Sequence, residues 1–279
     1  MKLYISADME GIAGYSAYHH GIPTSKDFSA MADLWVIQIN AIIEGAISVG
    51  VDEFLVNEAH SAMNYINLKA LHPKASLVSG YIKTDNQMHG LDDSFIGGVF
   101  IGHARAGTAM GVLNHAYLMR DVYDIRLNGE SIGEIGLNAI WAAYLGSALI
   151  MIVGDDYAAQ EAQEFNPAIH CAIVKKGLSQ FTAMHLSLEQ ANQEIKKTIQ
   201  KAIAVQQKGV FKNVDLPQEY KMEIDFSLSE IAHLCSYIPG VERIDARTVI
   251  FKNKDYRELQ HTRIVCTNLA LGVVRNRFG

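Results

Sequence analysis

Cysteine is scarce in this 279-residue chain: Cys171, Cys235 and Cys266 are far apart, odd in number and form no CxxC pair. A disulfide framework is excluded, and the thiols read as small core residues in a reducing compartment. Runs of Lys and Arg are missing as well, and the formal net charge of -6 is modest for the length, so the chain lacks the electrostatic footprint of a nucleic-acid binder. No stretch reaches the roughly 18 apolar residues of a membrane span. After one lysine the N-terminus enters strand-like sequence without the apolar stretch and cleavage site of a signal peptide. These absences point to a soluble, cytoplasmic protein with neither nucleic acid nor a membrane as partner. Internal repeats and low-complexity tracts are also lacking.

What is present is a hydrophobic content of 49%, enough to bury a sizeable core in one large domain or two of ordinary size. Lys2 to Ala7 reads as a strand. Asp27 to Val49 carries Phe28, Met31, Trp35, Ile39, Ile42, Ala46 and Val49 at spacings of three and four, an amphipathic helix stopped by Gly50. Strands follow at Glu53 to Asn57, Ser76 to Ser79 and Gly98 to Gly102, with a hairpin from Val122 around Asn128-Gly129. A helical pattern over Ile132 to Leu145 leads to the continuously apolar run Ala148 to Val153, another helix to Phe165 and a strand at Ile169 to Val174. Strands alternating with helices predict a three-layer α/β/α domain with a mainly parallel sheet.

From Ser187 the pattern changes. A polar helix over Leu188 to Gln207 precedes a strand, helix, two strands and a helix between Tyr220 and Leu271, with a turn at Pro239-Gly240. The expected division is a catalytic α/β domain over residues 1–180 and a smaller α+β domain over 181–279, the latter serving oligomerisation.

Three of the strands end in ligand-type side chains. Asp8 and Glu10 follow the first, His60 the second, and His103 the strand GVFIG. Ligands of parallel sheets bind outside the carboxyl ends of the strands, so these residues share one rim. Two carboxylates brought close repel unless a cation or proton lies between them, and mixed carboxylate and imidazole donors suit a divalent transition metal. His115, between apolar residues in GVLNHAYLM and 12 positions after His103, reads by itself as a satisfied core histidine sooner than as a site residue. Glu134 opens a helix apolar nearly all round, where an acid is either a favourable dipole partner or an isolated buried charge in need of one.

The stretches SADMEG (6–11), LVNEAHSAMN (55–64), HARA (103–106), Asn114-His115, GEIGLNA (133–139) and VGDD (153–156) resemble the M55 family of metallopeptidases, in the same order over most of the first 175 residues. The resemblance implies that Asp8, Glu10, His60, His103 and Glu134 bind two Zn2+ ions per chain, Asp8 bridging them, with His115 as the catalytic side chain. It implies a zinc-dependent aminopeptidase acting on short peptides, those with an N-terminal D-amino acid such as D-Ala-D-Ala among them. It also implies a homo-oligomer, a decameric ring enclosing the active sites. Two other readings stay open at this stage: a non-catalytic peptide-binding, transport-associated metalloprotein, and a hydrolase of a non-peptide amide.

Overall fold

The computed structural model describes residues 1–278. The strands β1 (Lys2–Ala7), β2 (Glu53–Glu58), β3 (Ala75–Val78), β4 (Phe95–Ile101), β7 (Leu149–Asp155), β8 (His170–Ser179) and β9 (Thr182–His185) form one sheet, ordered β3-β2-β1-β4-β7-β8-β9. All its pairings are parallel except the last hairpin. Helices α1 (Phe28–Ile47) and α4 (Leu188–Gln207) cover one face, while α2 (Glu134–Tyr144) and α3 (Asp156–Phe165) cover the other. Alternation along β1 explains the sidedness. Leu3, Ile5 and Ala7 join the core under α1 and α4, whereas Tyr4 joins the core under α2 and α3. This is the three-layer α/β arrangement the sequence predicts.

A second, antiparallel sheet has the order β11-β12-β10-β5-β6, built from β5 (Val122–Leu127), β6 (Glu130–Ser131), β10 (Tyr220–Phe226), β11 (Glu242–Arg243) and β12 (Thr248–Asn253). It is backed by α5 (Ser229–Cys235) and α6 (Tyr256–Phe278), and its apolar face merges with the core on the α2 side of the first sheet. The chain therefore divides between the sheets differently from a single cut at residue 180. The β5–β6 hairpin leaves the first part of the chain to pair with β10, and α4, from the second part, packs on α1 and β8.

Several elements differ from their sequence reading. β4 begins at Phe95 rather than Gly98, β11 shrinks to two residues, and the β8–β9 hairpin was not foreseen because its exposed side mixes Lys, Ser and Leu. α1 is also long and apolar enough to cross a membrane by composition, with a mean hydropathy of 1.4, but half of it is buried against the protein's own core.

Candidate metal centre

The acids of the opening motif converge through a turn. Asp8 remains extended, at φ -105° and ψ 136°, and Met9–Gly11 then forms a single 3₁₀ turn that swings Glu10 back toward it. The expectation that the pair shares one face of an extended strand is thus replaced by a tighter local device. Gly11 makes the turn possible, since a Cβ there would lie 2.4 Å from the Gly102 backbone nitrogen and 2.6 Å from the Val153 oxygen. Across the β1–β2 pairing stands His60, whose Nδ1 lies 2.8 Å from Glu10 Oε2 and 3.2 Å from Asp8 Oδ1.

The other half of the rim comes from β4 and α2. His103 Nδ1–H donates to the Ala104 carbonyl at 2.9 Å, which leaves Nε2 facing Asp8 Oδ2 at 3.7 Å and Glu134 Oε1 at 3.5 Å. His115 is brought over by a short bridge between Arg105 and His115, and its ring stacks on His103 at 3.9 Å with planes 13° apart. Its Nδ1–H donates to the Leu113 carbonyl at 2.7 Å. Glu134 is no isolated charge: the Tyr117 N–H donates to its Oε1 at 2.7 Å, and Gln87 Nε2 donates to Oε2.

All six residues singled out in the sequence meet in one place, as two triads. Asp8, Glu10 and His60 offer donor atoms within 4.8 Å of one another, and so do His103, His115 and Glu134. Asp8 touches both groups, one oxygen facing His60 and the other facing His103.

The electrostatics are those of a cation site. Burial and the neighbouring Glu10 charge push the Asp8 pKa well up. Burial works against ionised Glu10 and Glu134 too, yet His60 holds Glu10 well below the usual carboxylate range and His103 pulls Glu134 down to about 2. In return the acids overcome burial to raise His60 well above its ordinary value and His103 to about 10. Burial and the His103 charge lower His115 to about 4. Without an ion, the charge of these carboxylates is balanced by protons, one held on Asp8 itself and the others on the His60 and His103 imidazoles. The His103 Nε2 atom, buried and without a hydrogen-bond partner, marks where a cation fits.

Some supporting residues gave no clear signal in the sequence. Gln87 bridges two residues of α2, donating to Glu134 and accepting from Asn138 Nδ2 at 2.8 Å, while its carbonyl accepts from Tyr4 OH at 3.1 Å. Lys175, 2% exposed, donates to the carbonyls of Glu10, Ile12 and Tyr15 at 2.5, 3.1 and 2.8 Å, tying down the loop after β1. A lysine within the apolar strand AIVK was the available clue. Glu58 and Asp156, acids also available at the rim, are occupied by the backbone amides of Tyr65 and Gly177. The site opens into a cavity of about 590 Å³ lined by Asp8, Glu10, His60, His115 and Glu134.

Comparison with known proteins gives the family. The chain is 36% identical over 273 residues to the D-aminopeptidase of Bacillus subtilis strain 168, covering 97% of this chain and 98% of that protein. A solved structure, the Zn-dependent D-aminopeptidase DppA from Bacillus subtilis, described as a self-compartmentalizing protease, superposes with a TM-score of 0.92 at 34% identity, over 97% of this chain and 98% of that one. The family model for M55 peptidases, described as D-aminopeptidase, matches residues 1–264, and the chain belongs to that family.

Proposed function

We propose that this protein is a zinc-dependent aminopeptidase that hydrolyses short peptides bearing an N-terminal D-residue, with two zinc ions per chain. The observation that carries the reading is the pair of buried triads joined by Asp8, with His103 Nε2 unpartnered between Asp8 and Glu134. Asp8, Glu10 and His60 would hold one ion; His103 and Glu134 would hold the other, and Asp8 would bridge them. When bound, such ions polarise a scissile carbonyl and lower the pKa of water toward ~7.

The chain's own residues supply the rest. Donation from His115 Nδ1 to Leu113 fixes the tautomer, leaving Nε2 free to take a proton from the attacking water and return it to the departing amine. Stacking on His103 holds the ring over the site. The cavity volume of about 590 Å³ limits the size of the substrate, which favours short peptides. The same reading includes assembly of identical chains into a closed particle, a ring of ten, consistent with the self-compartmentalizing relative.

The test begins with metal analysis. Purified protein is expected to contain about two zinc equivalents per chain. His60→Ala should lower both zinc content and cleavage of D-Ala-D-Ala; full activity in that variant would overturn the ligand assignment. His115→Ala should keep its zinc and lose turnover by about 10² to 10⁴. Because His115 lies within the second triad, a specific rival exists: loss of zinc in that variant would make it a ligand instead. A parallel screen of D- and L-dipeptides, amides and acylated amino acids separates peptide hydrolysis from non-peptide amide hydrolysis and from binding without turnover. Sedimentation tests assembly through multiples of the 30.8 kDa chain mass.

A further inference from the structure

The wall of the metal cavity formed by α6 contains a charge that the reaction above does not use. Arg263 lines this cavity and is 1% exposed. Its Nε donates to Gln260 Oε1 at 2.9 Å, and its guanidinium carbon lies 3.8 Å above the Tyr117 ring. Both terminal nitrogens, Nη1 and Nη2, are buried without a hydrogen-bond partner, and among the described residues no carboxylate pairs with them. Burying an unpaired guanidinium is costly, and such a group persists where an anion is meant to complete it.

We infer that Arg263 is the specificity residue that receives the free C-terminal carboxylate of a short peptide, making the protein selective for dipeptides over their C-terminal amides. This rests on the peptidase reading above. Three features of the site agree. With Nε already engaged, the free edge is the end-on pair Nη1 and Nη2, which matches a carboxylate with two parallel hydrogen bonds. Asp8, Glu10 and Glu134 line the same cavity, and its other arginine, Arg120, is exposed, so Arg263 is the buried guanidinium of the cavity wall. With the metal centre at one end of the cavity and Arg263 on the α6 wall, the terminal carboxylate of a peptide finds its complementary charge on the α6 side, which fixes the peptide's direction across the site. Finally, Tyr117 joins the two functions, since its ring packs against Arg263 while its N–H holds Glu134. In a dipeptide the terminal carboxylate belongs to the residue directly after the scissile carbonyl, one Cα step of ~3.8 Å, so both features fit within one small cavity.

The experiment compares D-Ala-D-Ala with D-Ala-D-Ala amide in the zinc-loaded wild type and in Arg263→Met, Arg263→Lys and Arg120→Gln. Arg120 is the exposed arginine lining the same cavity and serves as the control. The wild type should favour the free acid in kcat/KM by about 10² or more, the scale of a charged pair lost in a dry site. Arg263→Met should collapse that preference toward one, mainly through KM, and Arg263→Lys should restore part of it. Arg120→Gln should keep it. Calorimetric binding of the same two compounds to chelator-treated protein gives a readout independent of turnover, and the acid should again bind more tightly only when Arg263 is present. Absent hydrolysis with this binding preference intact would count against the peptidase reading and for the carboxylate site. Equal losses on acid and amide in Arg263→Met, or no preference in either assay, would overturn the inference and leave Arg263 a buried residue satisfied by water. Thermal melting separates a folding defect from a binding one: a site that carries an unpaired charge predicts an unchanged or higher Tm for Arg263→Met, whereas a purely structural arginine predicts a lower one.

Discussion

Glu134 stays ionised at 2% exposure because the His103 charge faces it, and its carboxylate is aimed by two donors, the Tyr117 amide and the Gln87 side chain. Gln87 makes no contact that a metal would replace, so it acts by aiming the carboxylate. Replacing it as Gln87→Leu should weaken metal binding by about 10- to 100-fold, the range for partners that orient ligands, while the protein stays folded; competitive chelator titration measures it. A different single residue couples folding to pH. His185 Nδ1 accepts from the Gly14 N–H at 3.1 Å, and burial, then the nearby Lys175 and His20 charges, lower its pKa to about 4. The unfolded imidazole binds its proton near pH ~6.5, so the contribution of His185 is fully present above that value and is lost as pH falls through about 4. Urea midpoints at pH 5 and 7.5 should differ more in the wild type than in His185→Asn. At this scale the ligand-type residues were legible, because Asp8, Glu10, His60 and His103 follow apolar strands and Glu134 and His115 interrupt apolar stretches. Gln87 and Arg263 were not: glutamine in a loop and arginine within a helix look the same whether they face solvent or a buried partner.

The loop after β1 shows how one element holds the site. Its 3₁₀ turn presents Glu10, and Lys175 from β8 gathers three of its carbonyls. Lys175→Met keeps the volume but strips those buried acceptors of their donor. The expected loss is at least about 3 kcal/mol, since charged donors to buried groups contribute roughly 1.5–3 kcal/mol each without being additive. Zinc content should fall with it, as Glu10 loses its support. Gly11→Ala tests the same element from the other side: its Cβ would press on the backbone of Gly102 and Val153, for which overpacking of about 1–3 kcal/mol is expected. Denaturant midpoints read both variants. The turn itself was hidden in the sequence because D-x-E-G satisfies an extended reading and a tight one equally well, and only the contact with the ends of β4 and β7 decides between them.

Across the whole molecule, the strands and helices were visible in their hydrophobic periods, but their destinations depend on pairings between residues far apart in the chain. Val122–Leu127 reads as one arm of a local hairpin; it also becomes an inner strand of the second sheet, between β10 and β6. α4 reads as the start of a second unit and instead completes the helical layer on α1, where Gly45 lets Lys196 and Ile199 approach closely. The two sheets thus exchange elements, and the core on the α2 side runs from Tyr4 through Trp141 to Ile224 without interruption. Such interleaving predicts cooperative behaviour. Calorimetry should give one unfolding transition rather than two separable steps. Expressed alone, residues 1–180 would expose the apolar face of the β5–β6 hairpin and lose the α4 cover of β8, so the fragment should not fold. A separate melting transition for either part, or a folded 1–180 fragment with native near-UV circular dichroism, would show that the sheets are independent after all. Because Arg263 reaches the cavity from α6, that cooperativity is also what keeps the proposed carboxylate grip in register with Asp8, His60 and His103, which follow β1, β2 and β4.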